Sequence, residues 1–95
     1  MKLIGKPELE DFQTQHADAR SHITSLITEI EDGQWKTPHE LKEHYPKAKT
    51  VGDKNVIFKI CGNKYRLWVK VAYKTLTVFV KKIGTHREYD AWDIK

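Results

Sequence analysis

The sequence lacks the features that tie a chain to an oxidising or membrane environment. It has one cysteine, Cys61, in 95 residues, which allows neither an internal disulfide nor a CxxC metal site. No apolar run approaches the roughly 20 residues that cross a bilayer. No charged leader followed by an apolar stretch stands at the start, so no signal peptide is expected and the cytoplasm is the default address. There is no phosphate-binding P-loop and no GxGxxG turn. His39-Glu40 is followed by His44, one residue too far for the zinc-protease spacing that puts two imidazoles on one helix face. These histidines read as surface residues, as do His16 and His22, and no metal or other cofactor is expected. Repeats and low-complexity stretches are also missing, and the length fits one domain, 1–95.

What the chain does have is positive charge. Seventeen Lys and Arg oppose thirteen Asp and Glu, for a net charge of +4. That balance favours a polyanionic partner, nucleic acid ahead of membrane.

The first third has helical spacing. Met1 to Ile4 is a short apolar run suited to an edge strand. Pro7 then fits the start of a helix, where its missing N–H costs nothing. Leu9 and Phe12 mark its buried side. A break follows at His16 to Asp18, with Asp18 a candidate N-cap for the next helix. There Ile23, Leu26, Ile27 and Ile30 fall at i, i+3, i+4 and i+7, and Gly33 ends it. Thr37-Pro38-His39-Glu40 predicts a third, short helix opened by a capping box, which Pro46 stops. Pro46 to Asn55 reads as a polar loop with a turn at Gly52-Asp53.

The second half changes to a period of two. Val56 to Cys61, Lys64 to Tyr73 and Leu76 to Ile83 predict an antiparallel meander turning at Gly62-Asn63 and near Lys74-Thr75. Gly84 closes it, and His86 to Lys95 forms a short tail with one helical turn. On the middle strand Tyr65, Leu67, Val69 and Val71 must pack on the helices. Arg66, Trp68, Lys70 and Ala72 take the other face, joined by Thr77, Phe79 and Lys81 if the second turn has an even number of residues. Cations neutralise phosphates and aromatic rings stack on unpaired bases, so this face suits single-stranded RNA. An ordinary solvated face covered by long amphipathic side chains has the same pattern; Trp68, read as a large exposed aromatic, tilts the balance toward binding.

Several segments resemble one family. They are Gly62-Asn63-Lys64-Tyr65-Arg66-Leu67 with the following Val69-Lys70-Val71, Ile83-Gly84-Thr85-His86-Arg87-Glu88-Tyr89-Asp90, Asp32-Gly33-Gln34-Trp35-Lys36-Thr37-Pro38, and Tyr45-Pro46. In order and spacing they are similar to the HigB-type toxins, messenger-RNA interferases of the wider RelE-like group. The resemblance implies an α+β, RelE-like fold: β-α-α, then a three-stranded antiparallel meander packed on the helices, then a short C-terminal element. It also implies an endoribonuclease that cleaves mRNA on the translating ribosome. A HigA-type helix-turn-helix antitoxin would neutralise it, and operator DNA would be bound only through that antitoxin. No membrane partner is implied.

Within that frame the catalytic candidates are His86, Arg66 and Tyr89. Imidazole, with an ordinary pKa of about 6.5, both accepts and donates protons near neutrality. A guanidinium fork can hold a phosphate bidentately. Tyr89, three residues beyond His86, shares its face on a helical turn and can stack or give a proton. Lys64, Trp68, Lys70, Lys81 and Arg87 are the RNA-binding candidates, with Lys82 and Asp90 behind them. Cys61 has no histidine beside it in sequence and is not expected to act as a nucleophile. Two other readings stay open, a non-catalytic single-stranded RNA-binding module and a protein-interaction domain.

Overall fold

A computed structural model describes residues 1–94. The elements are β1 (Lys2–Ile4), α1 (Lys6–Gln15), α2 (Arg20–Asp32), α3 (Pro38–His44), β2 (Lys49–Val51), β3 (Asn55–Ile60), β4 (Tyr65–Ala72), β5 (Thr77–Thr85) and α4 (His86–Asp90), with short 3-10 turns at Ala17–Ala19 and Tyr73–Thr75. The α+β class and the order of helices before sheet agree with the sequence reading.

The expected edge strand and three-stranded meander are present, and one further strand joins them. The sheet thus has five strands, in the order β1-β5-β4-β3-β2. β2 to β5 run antiparallel in sequence order, and β1 joins the far edge parallel to β5. The segment expected to be loop contains β2. Its three residues pair with Ile57, Val56 and Asn55 across a tight turn in which Gly52 takes a positive φ of 66°.

One face of the sheet carries the core. Val56, Phe58 and Ile60 of β3, Leu67, Val69 and Val71 of β4, and Val78 of β5 meet Leu9, Phe12, Ile23, Leu26 and Ile30 of the helices. Alternation in the strands and the 3.6-residue stripe of α2 bury these side chains together, and that apolar burial is the main stabilising term.

Helix ends differ in detail from expectation. Gly33 follows α2 with an ordinary extended backbone, φ −76° and ψ 157°, so its role is not to supply a left-handed turn. A Cβ there would lie 2.6 Å from the buried Trp35 ring; glycine admits the indole. Gly5, before α1, does need its freedom: φ is 102°, and a Cβ would lie 2.7 Å from that of Val80. Thr37 caps α3 by accepting from the Glu40 N–H, while the Glu40 carboxylate reaches one residue further back, to the Lys36 N–H. At the C-terminus of α2, where helical carbonyls lack partners, the Met1 ammonium donates to the oxygens of Ile30, Glu31 and Gly33 at 3.1, 2.8 and 2.7 Å.

Asp18 does not cap α2. Ala19 occupies that position without a side-chain bond, and the Asp18 carboxylate instead accepts from the Tyr65 hydroxyl at 2.8 Å and from the Lys64 ammonium. His16 is likewise not a solvated residue. It stacks on Phe12 at 4.0 Å and meets Tyr65 edge-on at 5.1 Å. Gly84 does not end β5, which continues to Thr85.

Candidate active site

α4 is fixed by a motif visible in the sequence, Thr85-x-x-Glu88. The Thr85 hydroxyl accepts from the Glu88 N–H at 3.2 Å, and the Glu88 carboxylate accepts from the Thr85 N–H at 3.0 Å, a capping box that satisfies two helix-end donors. The His86 N–H adds a bond to the Lys64 carbonyl at 3.1 Å. Together these turn the chain sharply at the end of β5 and lay α4 across the second face of the sheet.

That fold-back brings the three catalytic candidates into one corner. The Tyr89 ring lies over the Arg66 guanidinium, 5.4 Å from ring centre to Cζ. The His86 and Tyr89 rings are 6.2 Å apart. His86 Nδ1 lies 3.5 Å from an Asp90 carboxylate oxygen, on a half-exposed side chain. Arg66 is buried, 6% exposed. Its Nη1 donates to the carbonyls of Asn63 at 2.9 Å and Tyr65 at 3.2 Å. Because the turn carbonyl of Asn63 holds the fork, the guanidinium is aimed before any substrate arrives.

Trp68 departs from expectation. It is not an exposed stacking platform: only 8% of it is accessible, and its indole N–H donates to the Asn55 side-chain oxygen at 2.9 Å. Trp92, from the segment after α4, tilts over it at 6.3 Å and meets Tyr89 edge-on at 5.7 Å. With the fully buried Ile57 opposite it in register, Trp68 forms a second small core that supports α4. Trp92 stands one helical turn beyond Tyr89 in sequence, and the structure places it as packing rather than as an open stacking ring.

Lys64 also lies elsewhere. It precedes β4, and its ammonium turns to the helix side to pair with Asp18. That pair depresses the Asp18 pKa, first through the Lys64 hydrogen bond and then the Tyr65 one, and raises that of Lys64. A carboxylate held below its ordinary value of 3.8 stabilises the fold while ionised and loses that contribution as pH falls through the lowered value. Thermal unfolding should therefore show Asp18→Asn less stable than the parent at neutral pH, with the gap closing as pH drops below that ordinary value. A gap that persists unchanged in acid would show that the carboxylate charge is not what joins the layers.

The remaining cations sit around the corner. Arg87 is exposed on α4 beside His86, and Lys70 is half-exposed on the Arg66 face. A bulge opposite Trp68 changes the register of β5. Val69 pairs with Val80 but Trp68 pairs with Lys82, so Lys81 and Lys82 together oppose one residue, and both are exposed. An open cleft of about 450 Å³ is lined by these two lysines, Glu88 and Trp92 on one side and by Glu8 and Asp11 of α1 on the other. Cys61, in the turn after β3, donates its thiol to the Asp18 carbonyl at 3.3 Å. Burial pushes its pKa up, the opposite of an activated nucleophile. Among the described residues no cluster of three or more His, Cys, Asp or Glu is placed to hold a metal ion, and no helix is long and apolar enough to cross a membrane.

Comparison with known proteins gives a consistent family. The chain is 27% identical over 92 residues, covering 95% of this chain and 88% of the relative, to the mRNA interferase toxin HigB of Escherichia coli K12. The same figures hold for the mRNA interferase HigB of Escherichia coli O157:H7 and that of Shigella flexneri. Residues 19–92 match the family of RelE-like toxic components of toxin–antitoxin systems. That span runs from the start of α2 through Trp92 and takes in every element that positions Arg66, His86 and Tyr89, and the chain belongs to the HigB toxin family.

Proposed function

We propose that the chain is an mRNA-cleaving endoribonuclease whose reaction centre is the corner formed by Arg66, His86 and Tyr89. The observation that carries this reading is their convergence. A fixed guanidinium, an accessible imidazole and a phenol come together from β4 and α4 on a basic surface.

The chemistry suited to such a set uses the substrate's own ribose. A base removes the 2′-hydroxyl proton, the 2′ oxygen forms a bond to the adjacent phosphorus, the bond from phosphorus to the 5′ oxygen breaks, and an acid protonates that leaving oxygen. The products are a 2′,3′-cyclic phosphate and a 5′-hydroxyl end. His86 serves as one member of the acid–base pair, with Asp90 orienting it. Arg66 stabilises the charge that builds on the phosphorane. Tyr89 stacks on a base beside the scissile bond or gives the proton, and Lys70, Lys81 and Arg87 hold flanking phosphates.

The corner is open and offers few groups to bend an RNA strand for in-line attack. Delivery of the message already bent, on the translating ribosome, would supply that positioning. The remaining partners are a HigA-type antitoxin and, through it, operator DNA; the site of action is the cytoplasm.

Mapping of 5′ ends tests the reading. One message, with its start codon intact or destroyed, is incubated with a translating extract and the toxin. New 5′-hydroxyl ends are expected in the translated message alone, and should vanish when the nucleotide before the cut carries 2′-deoxyribose. Equal cutting of both messages would remove the ribosome from the proposal. Cutting of the deoxy substrate would remove the 2′-hydroxyl mechanism.

A further inference from the structure

Burial of Trp68 leaves the second face with a different exposed aromatic. Among the described residues only two large apolar side chains are exposed, Phe79 at 39% and Ile4 at 42%, and they are neighbours. Ile4 pairs with Phe79 across β1 and β5, and Phe79 pairs with Lys70 across β5 and β4. The next row, one step along, is Lys2, Thr77 and Ala72. No acidic residue occupies these strand positions, and two of the six are lysines. From Arg66 to Lys70 is four residues of extended strand, roughly 13 Å.

We infer that Phe79, with Ile4 beside it and Lys70 and Lys2 flanking it, is a stacking subsite for an unpaired base of the same RNA strand that Arg66 and His86 cleave. This rests on the ribonuclease reading and adds a second point of contact to it. An apolar docking site for a protein would profit from a wider apolar rim, whereas here the ring is bordered by ammonium groups. A planar, exposed ring between cations is suited to a strand that alternates bases and phosphates. Along β4 the Phe79 row lies two residues beyond Trp68 and four beyond Arg66, on the same face, so a strand bound there can continue to the reaction corner. The subsite would thereby hold a nucleotide at a fixed distance from the scissile bond.

The test is binding of a 2′-O-methyl oligonucleotide of about ten nucleotides, which has no free 2′-hydroxyl to attack and cannot be consumed. Phe79→Ala should weaken its binding about 5- to 100-fold. Phe79→Tyr should keep nearly all of it, and an abasic nucleotide at the contacted position should erase the difference between Phe79→Ala and the parent. Lys70→Ala should flatten the salt dependence by about 0.7 in log–log slope. His86→Ala, assayed for cleavage, reports on the reaction corner independently. Parent-like affinity of Phe79→Ala, or no measurable affinity in the parent, would overturn the subsite while leaving the cleavage assays to stand or fall on their own. A Phe79→Ala defect confined to self-association or antitoxin capture would overturn it in favour of a protein surface.

Discussion

Replacing His86 with alanine is expected to leave the fold intact and to lower RNA cleavage about 10²- to 10⁴-fold. Both halves follow from its position. The side chain is half-exposed and Asp90, its ion-pair partner among the described residues, is more exposed still, so little stability rides on that pair. The backbone N–H that ties α4 to Lys64 survives the substitution, and alanine is at home in a helix. What disappears is the imidazole that the proposed reaction uses for proton transfer. Single-turnover cleavage at saturating toxin should show the loss in the chemical step, with RNA binding by the variant measured alongside. Thermal unfolding of the two proteins should coincide. A variant that cuts at close to the parental rate would remove His86 from the chemistry and move attention to Tyr89.

Arg66 should behave differently, because it is buried and serves two ends. Arg66→Ala is expected to reduce cleavage about 10²- to 10³-fold, the usual scale for deleting a donor that stabilises transition-state charge. It should also destabilise the protein by roughly 1–3 kcal/mol, since the Asn63 and Tyr65 carbonyls lose their partner beneath α4. Arg66→Lys separates the two effects. A lysine keeps one charge and can reach a carbonyl, so much of the stability should return. It cannot offer the planar fork, so cleavage should stay low. Chemical denaturation and cleavage kinetics on the same samples give both readings. If Arg66→Lys recovers activity in proportion to stability, the residue is a structural support for α4 and not a phosphate ligand.

The parts of this molecule that were legible in the sequence are those decided by neighbours along the chain. The stripe Ile23, Leu26, Ile30 marks α2, the alternation from Tyr65 to Val71 marks β4 and its buried face, and Pro7 and Pro38 mark helix starts. What could not be read was decided across the fold. Lys49–Val51 is too short and polar to look like a strand; it becomes one because the turn at Gly52 hands it to β3. Trp68 has the right parity for an exposed face, but its cover, Trp92, comes from a segment that returns only after β5. Lys64 has the same parity as Arg66 but stands just before the strand, where Asp18 can capture it. Asp18 had the form of a helix cap and was diverted to that task. The β5 bulge moved Lys82 into the row expected to hold Lys81. The family-like segments put Arg66, His86 and Tyr89 forward as candidates, but periodicity alone does not say that α4 folds back over β4 to bring them together.

The parallel pairing of β1 with β5 has a consequence for how the protein is made. Lys2 is synthesised long before Thr77, so the contact between them spans a long stretch of chain. Hairpins β2–β3 and β3–β4 can close locally and fast, whereas joining the two ends across so long a loop is slow and comes late. α4 follows β5, and with it come His86 and Tyr89. A nascent chain that has not yet reached β5 and α4 therefore has no meeting of Arg66, His86 and Tyr89. A product truncated before β5 would lack the strand that pairs with both β1 and β4, and with it that meeting of side chains.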